Sequence, residues 1–131
     1  MREVVLDASV IARWFGPTAD PLSALWRSDF ESGRLDITLP ALIFLELVNV
    51  AARQWRWTDV RLLELVRRLE DSRFEIVDPR LDRVASWAAR GLTAYDATYV
   101  ALAEERGVPL VTHDRQILAV AAGIAQPIKV R

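Results

Sequence analysis

Short apolar runs rich in β-branched residues recur along the chain, and longer stretches of helical periodicity separate them. The first run is "EVVL" near the N-terminus and the last is "PIKV" near the C-terminus. Strands that alternate with helices favour a parallel sheet, because each helix supplies the crossover to the next strand. The pattern predicts an α/β protein, a three-layer α/β/α sandwich with a central, mostly parallel five-stranded sheet. The predicted strands are residues 3–6, 36–39, 74–77, 109–112 and 127–130.

Seven helical patterns lie between these strands. Gly91, Gly107 and Gly123 are placed to end helices, and Thr58 to begin one. Because the chain has 131 residues and no linker or repeat interrupts the alternation, we expect a single domain over residues 1–131. The predicted helices are residues 9–14, 21–32, 41–55, 58–70, 80–89, 94–106 and 115–122.

The composition excludes several classes of protein. There is no cysteine, so a disulfide scaffold and a thiolate metal site are both excluded. The formal net charge of −1 lacks the strongly basic character of a general nucleic-acid-binding domain, so a polyanion would have to bind locally. The N-terminus carries acids where a signal peptide is apolar, and no charge-free run is long enough to span a bilayer. We therefore expect a cytoplasmic protein with no membrane partner.

Four acids from distant parts of the chain are predicted to meet at one edge of the sheet. Asp7 and Asp114 follow predicted strands directly or almost directly. Asp96 lies in the first turn of a helix that leads into a strand, and Glu46 lies near the start of the helix after residues 36–39. In a parallel sheet every strand ends at the carboxyl edge, and each helix that leads to the next strand begins there. Ligands bind at this edge.

Each aspartate also has an ordinary structural explanation. Asp7 could cap the helix that follows it, with help from Ser9, and Asp114 could cap the helix over residues 115–122. Thr93 and Asp96 have the Thr-x-x-Asp spacing of a capping box. The sequence alone leaves capping and a functional role open for all three aspartates.

Glu46 is harder to explain, because it interrupts the apolar stretch "LIFLELVNV". A buried carboxylate without a partner costs several kcal/mol or becomes neutral. Besides a functional role, the alternatives are a buried ion pair with an arginine and a contact between subunits. Asn49 lies one turn further on the same helix face and could be a supporting polar group of the same pocket or a satisfied core amide.

A cluster of carboxylates needs protons or cations, since two charges 4 Å apart repel by about 4 kcal/mol at an effective dielectric of 20. Oxygen ligands without a histidine or cysteine cluster favour Mg²⁺ or Mn²⁺ over Zn²⁺. His113 is the only histidine and flanks Asp114, but no second imidazole accompanies it. Such ions can activate water and stabilise the leaving oxygen of a phosphodiester.

Three motifs carry a resemblance to a known family. They are "LDASVIARWF", "LPALIFLELVNVA" and "LTAYDATYVALAEERGVPLVTHD", with acids in the order Asp, Glu, Asp, Asp. With these motifs, and over nearly its whole length, the chain resembles PIN-domain proteins, specifically the VapC-type toxin ribonucleases of toxin–antitoxin pairs. The resemblance implies a PIN-like α/β/α fold and an acidic pocket that binds Mg²⁺ or Mn²⁺ and cuts RNA.

The resemblance also assigns residues and partners. Ser9 and Thr112 match small hydroxyl residues that support the pocket, and Ile117 stands where some relatives carry another acid. The family implies a homodimer and a small VapB-type antitoxin encoded beside the toxin. The metal-binding and catalytic residues that it implies are Asp7, Glu46, Asp96 and Asp114.

These expectations combine into metal-assisted hydrolysis of RNA. Asp7, Glu46 and Asp96 are expected to hold the ion, and Asp114 to help hold it or a second ion. The attacking water is expected to lose its proton to this cluster. The candidates for holding flanking phosphates are Arg13, Arg53, Arg56 and Arg115. Trp14, Trp55 and Trp57 could stack unpaired bases or belong to the core or a dimer contact.

Other classes of protein share parts of this pattern. A phosphatase of the haloacid dehalogenase type needs a second aspartate where this chain has Ser9. A response-regulator receiver, which is a signalling module, could use Asp78 as phosphoacceptor, with Thr112 and the only lysine, Lys129, in switch positions. A catalytically silent PIN domain that binds RNA or a partner is the third alternative.

Overall fold

The computed structural model describes residues 2–18 and 20–131, in which five strands and seven helices follow one another along the chain. The strands and helices begin and end close to the predicted positions, with the exceptions given below. The strands are β1 (Arg2–Leu6), β2 (Leu35–Leu39), β3 (Glu75–Ile76), β4 (Leu110–Thr112) and β5 (Ala125–Pro127). The helices are α1 (Ala8–Phe15), α2 (Pro21–Glu31), α3 (Leu42–Arg53), α4 (Asp59–Asp71), α5 (Leu81–Ala88), α6 (Ala94–Arg106) and α7 (Arg115–Val120).

The strands form one sheet in the order β3-β2-β1-β4-β5, and all of its strand pairs are parallel. The central strand β1 pairs with β2 through Val4 and Ile37 and with β4 through Val5 and Leu110. Val4, Val5 and Leu6 are fully buried, as expected of a parallel strand covered on both faces. The predicted five-stranded parallel sheet flanked by helices is therefore confirmed.

The last strand lies two residues before its predicted position. β-Branched residues predict a strand over 127–130, but β5 begins at the buried Ala125 and ends at Pro127. The Leu110 amide donates to the Ile124 carbonyl at 3.1 Å, which joins the chain to β4 just before this strand. Beyond it, the Lys129 carbonyl accepts the Trp26 indole N–H at 2.8 Å, so the segment packs on α2 instead of continuing the ladder.

The helix ends also differ from the predictions in detail. Gly107 caps α6 with φ 66°, as predicted, and Thr58 is the residue before α4. α5 already ends at Ala88 and α7 at Val120, so Gly91 and Gly123 lie in the turns that follow those helices. None of the helices within the described ranges combines the length and the hydrophobicity that crossing a membrane requires.

Trp14 belongs to the core. It is 7% exposed, and its ring packs at 5.9 Å from Phe30 and 6.2 Å from Phe74, measured between ring centroids. For Trp14 the core interpretation is therefore confirmed. Trp55 and Trp57 are only partly buried and pack against each other outside this cluster.

Candidate active site

Asp7 lies directly after β1, where the strand emerges from the core, and is 4% exposed. Its backbone occupies the N-cap position of α1, but its carboxylate does not cap that helix. Instead it accepts hydrogen bonds from the Ser9 hydroxyl at 2.6 Å and from the Thr112 hydroxyl at 2.7 Å. Thr112 is the last residue of β4, which pairs with β1, so the sheet itself brings these two residues together. The capping interpretation of Asp7 is wrong.

Both hydroxyl groups are themselves held by the backbone that follows β4. The His113 amide donates to the Ser9 hydroxyl oxygen at 3.1 Å, and the Asp114 amide donates to the Thr112 hydroxyl oxygen at 2.9 Å. Each hydroxyl therefore accepts an amide proton and donates its own proton to Asp7. This arrangement fixes the orientation of the Asp7 carboxylate with neutral donors and without any cation.

Glu46 lies in the second turn of α3 and accepts a hydrogen bond from the Tyr99 hydroxyl of α6. Tyr99 is 1% exposed, whereas Glu46 is half-buried. Within the described residues Glu46 forms no ion pair, so the predicted alternative of an arginine partner is wrong. Asn49 is exposed, which also excludes the core-amide interpretation for that residue.

Sequence analysis missed Tyr99, although one signal for it exists. Tyr99 comes three residues after Asp96, and residues at this spacing share a helix face. A tyrosine on the same face as a candidate ligand is therefore placed to reach the same site.

The two remaining aspartates, Asp96 and Asp114, both lie where a helix is capped. Asp96 is half-buried in the first turn of α6, and its amide donates to the Thr93 hydroxyl at 3.1 Å, as a capping residue at Thr93 predicts. Asp114 is the N-cap of α7, and its Oδ1 accepts the Ile117 amide at 2.9 Å. The capping interpretation of Asp114 is confirmed, and it still leaves Oδ2 available.

The charges of these four carboxylates act on one another. Burial raises the pKa of Asp7 to about 6, against the downward effect of its two hydroxyl donors, and Asp96 and Asp114 raise it further. Burial also raises the pKa of Glu46, where Asp96 and Asp7 add to the effect and Tyr99 opposes it. For Asp96, burial and then Asp114 raise the pKa. Asp7, Glu46, Asp96 and Asp114 therefore share one electrostatic environment, and we call them the acid site.

The acid site has the donor chemistry of a hard divalent cation but not a closed coordination shell. Within residues 2–18 and 20–131, no three His, Cys, Asp or Glu side chains are arranged to hold a metal ion by themselves. Mg²⁺ typically takes one or two carboxylates and completes its shell with water and substrate phosphates. Carboxylate donors that share one electrostatic environment and have no basic partner among the described residues fit that mode of binding.

His113, the histidine next to Asp114 in the sequence, has a ring that is partly buried. Burial lowers its pKa, and the nearby Arg13 guanidinium lowers it further, while Asp20 opposes both effects. Its Nε2 atom is buried and has no hydrogen-bond partner within the described residues. The ring is therefore a neutral group beside Asp114.

The four predicted phosphate-binding arginines lie on the surface, and none forms an ion pair with the acid site. Arg13 pairs with Asp20 at 3.1 Å. Arg53, Arg56 and Arg115 are exposed, and no carboxylate of the described residues lies within ion-pair distance of them. They are available to a ligand, but they form no ion pair with the acids.

The receiver interpretation fails on topology. Receivers have the strand order 2-1-3-4-5, whereas here β2 and β4 flank β1 and β3 is an edge strand. Asp78 follows that edge strand, and its carboxylate accepts the Ala41 amide at 2.9 Å just before α3. Lys129 is exposed beyond β5. The three residues of the predicted phosphorylation site therefore do not form one.

Comparisons with known proteins agree with this geometry. Residues 4–123 match the family described as PIN domain. A segment of 54 residues is 50% identical to Exonuclease VapC9 of Pyrobaculum aerophilum, and the match spans 40% of this chain and only 41% of that protein's length. The crystal structure of PAE2754 from the same organism has a TM-score of 0.72 and 28% identity, over 97% of this chain and 90% of that one.

A toxin–antitoxin complex from Klebsiella pneumoniae has the same fold, with a TM-score of 0.67 and 17% identity over 98% of this chain and 99% of that one. The family match covers most of the sequence and includes most of β1, all of β2, β3 and β4, and the whole acid site. The chain therefore belongs to the PIN domain family and is similar to its VapC members, as the motifs around its four acids imply.

Proposed function

We propose that the protein is a Mg²⁺- or Mn²⁺-dependent endoribonuclease that hydrolyses RNA phosphodiester bonds at the acid site. One observation carries this proposal: burial and neighbouring carboxylates raise the pKa values of Asp7, Glu46 and Asp96, Asp114 adds its charge to this cluster, and no basic side chain of the described residues is paired with any of the four. A cluster of this kind is stabilised by protons or by an external cation, and oxygen donors of this type suit a hard divalent cation.

The proposal assigns a role to each residue of the site. Asp7, Glu46 and Asp96 would hold the ion, and Asp114 would help with Oδ2, the oxygen that capping leaves available. Ser9 and Thr112 orient Asp7 through hydrogen bonds of 2.6 and 2.7 Å, and Tyr99 orients Glu46. When bound, Mg²⁺ or Mn²⁺ would lower the pKa of a water molecule and neutralise charge on the phosphate. The water's proton would pass to the carboxylates of this cluster.

We also propose two protein partners and a compartment. A small VapB-type antitoxin is proposed because the Klebsiella pneumoniae structure of the same fold is a toxin–antitoxin complex. A homodimer is supported by large apolar side chains on neighbouring helices, Leu45 at 76% exposure on α3 and Leu63 at 58% on α4. RNA as substrate is consistent with the cytoplasm as the site of action.

The test uses purified protein, a circular RNA and an end-labelled linear RNA, each with Mg²⁺, Mn²⁺ or a chelator. The circular RNA matters because the Pyrobaculum aerophilum relative is named an exonuclease, and only an endonuclease opens a circle. We expect the protein to open the circle with either metal and not with chelator. Asp96→Asn should reduce the rate at least about 100-fold, whereas Asp36→Asn, which alters an exposed aspartate of β2, should not.

Intact RNA with both metals, and no difference between wild type and Asp96→Asn, would contradict the proposal. If the same RNA is bound but not cut, the protein is the catalytically silent binding module considered above.

A further inference from the structure

Residues 53–61, "RQWRWTDVR", place three arginines and two tryptophans on the surface where α3 ends and α4 begins. Arg53, Arg56 and Arg61 are exposed, and within the described residues none of them lies within ion-pair distance of a carboxylate. By contrast, Arg13, Arg27 and Arg106 each pair with an acid at 3.1 Å or less. We call residues 53, 55, 56, 57 and 61 the Arg–Trp surface.

The two tryptophans of this surface have different environments. The rings of Trp55 and Trp57 are in contact, with centroids 5.0 Å apart and planes inclined by 49°. Trp55 is seated against Gly16 so closely that a Cβ atom there would lie 2.5 Å from its ring. Trp57 is half-buried, and the Arg61 guanidinium lies 4.0 Å over its ring. Trp55 therefore fixes the position of the surface, and Trp57 and Arg61 form its outer layer.

Arg56 has an unfavourable backbone conformation. Its φ of 56° makes it the one non-glycine residue with positive φ among those that the structure describes. Glycine and asparagine adopt this conformation more readily than arginine does. The adjacent Trp57 amide donates to the Ala51 carbonyl at 3.0 Å, which holds the turn in place. Backbone strain that the surrounding structure maintains is typical of functional positions. At Arg56 the strained turn presents the guanidinium group to solvent.

Helices α1 and α3 both run from the acid site towards this surface. Next to Trp55 lies a cavity of about 290 Å³ that is lined by residues of both helices, including Ala12, Gly16 and Val50. Val50 lies one helical turn after Glu46 on the same face of α3. α1, which forms the other wall, begins immediately after Asp7. The acid site therefore lies near one end of these two helices, and the cavity beside Trp55, which Arg13 and Asp20 also line, lies near the other end.

We propose that the Arg–Trp surface and the adjoining cavity bind single-stranded RNA that flanks the scissile bond, an inference that rests on the ribonuclease function proposed above. Trp57 and the Arg61 guanidinium over its ring provide planar groups on which a base can stack, and Arg53 and Arg56 provide planar groups for phosphates. The need for such a surface follows from charge. The acid site repels phosphate, and the chain's net charge of −1 supplies no general attraction, so the positive contacts must be local.

The experiment measures RNA binding separately from cleavage. A fluorescein-labelled single-stranded RNA of mixed sequence is titrated with the full chain in chelator, and anisotropy is recorded at several KCl concentrations. Trp57→Leu should weaken binding at least about fivefold, the lower end of what one stacked base contributes. Arg56→Asn should weaken binding and reduce the salt slope by about 0.7, the value for one phosphate contact with a single strand.

Two controls separate this proposal from a structural effect. Arg56→Asn relieves the backbone strain, so its melting temperature should equal or exceed that of wild type while its RNA affinity falls. Arg2→Gln removes an exposed arginine that lies 5.8 Å over the Trp26 ring, at the start of β1 and opposite the acid site. This variant should bind RNA as wild type does.

The outcomes also separate this inference from the proposed activity. If Arg56→Asn and Trp57→Leu bind RNA with wild-type affinity and salt slope, the inference is wrong even where the wild type cuts RNA. If they lose affinity while the wild type cuts nothing, the binding surface stands and the ribonuclease proposal fails. If they lose affinity for a polyglutamate peptide and not for RNA, the surface belongs to an acidic protein partner and the inference is wrong.

Discussion

Carboxylates near the two ends of the same strand have opposite surroundings. Glu3, near the start of β1, accepts two hydrogen bonds from Arg106, at 2.7 and 3.0 Å, and one from Thr38 at 2.8 Å. Arg106 also binds Glu75 at 3.0 Å, and we call Glu3, Glu75 and Arg106 the paired cluster. Asp7, after the end of β1, receives only hydroxyl donors. Helix α6 spans both regions, with Asp96 in its first turn and Arg106 as its last residue.

The difference appears in the pKa values. Hydrogen bonds from Arg106 and then Thr38 lower the pKa of Glu3, whereas burial raises that of Asp7 to about 6. The fold can thus neutralise its own carboxylates, and it does so near the start of β1. At the acid site no arginine of the described residues pairs with a carboxylate, so the negative charge there is not compensated by the protein. Unpaired charge of this kind is costly for stability and is typical of functional sites.

The largest expected effect comes from Asp7→Asn. Loss of this proposed ligand should reduce the proposed metal-dependent RNA cleavage at least about 100-fold, because even outer partners of metal ligands contribute 10- to 100-fold. The same change should make the metal-free protein more stable at pH 7, since a buried charge is removed, the amide oxygen keeps one hydroxyl donor, and the amide NH2 can donate to the other hydroxyl oxygen. Cleavage assays and urea unfolding in chelator measure the two effects. A variant that is both inactive and less stable would contradict the claim that the buried charge of Asp7 destabilises the metal-free protein.

A second prediction concerns pH. The pKa of Asp7 rises from 3.8 to about 6 on folding, so the folded protein binds the proton more tightly than the unfolded chain does. The metal-free protein should therefore lose stability from Asp7 as pH rises from about 4 to about 7, by at most about 3 kcal/mol at 1.4 kcal/mol per pKa unit. Unfolding free energies of wild type minus those of Asp7→Asn isolate this contribution. A difference that does not change with pH would show that Asp7 is not buried as described.

Tyr99→Phe tests whether the orientation of Glu46 affects the affinity for a metal ion. The substitution keeps the buried ring and removes the hydroxyl that donates to Glu46. We expect about tenfold weaker Mn²⁺ binding by calorimetry, the smaller effect seen for partners of metal ligands. Tyr95→Phe is the matched control, because Tyr95 lies on the same helix and is 67% exposed. Equal Mn²⁺ affinity for the two variants would remove the positioning role of Tyr99.

The fold and the acid positions are largely predictable because they depend on local pattern. β-Branched runs mark the strands, and an aspartate directly after a strand, such as Asp7, must lie at the carboxyl edge of a parallel sheet. The position of β5 is less predictable. There, burial of Ala125 and the hydrogen bond from Trp26 to the Lys129 carbonyl outweigh the β-propensity of residues 127–130.

The hydrogen-bond partners at the site are not predictable from local pattern. The Asp7 carboxylate bonds to Thr112, which is 105 residues away, and so depends on the pairing of β1 with β4. Tyr99 and Glu46 are 53 residues apart and meet only when α3 and α6 pack on the sheet. Whether an aspartate caps a helix also depends on such contacts, since Asp114 does and Asp7 does not.

Glu3→Gln should have the smallest effect and completes the comparison. It removes a carboxylate that is already neutralised by Arg106, and both side chains are about 30% exposed. Ion pairs near the surface contribute only about 0.2–1 kcal/mol, so the free energy of unfolding should fall by this amount. RNA cleavage and Mn²⁺ affinity should stay at wild-type values, because the paired cluster lies away from the acid site. Asp7→Asn and Glu3→Gln would then shift stability in opposite directions, and only the first would abolish activity. Equal losses of activity in both variants would mean that the two ends of β1 are coupled, and that the absence of an arginine at Asp7 is not what distinguishes the acid site.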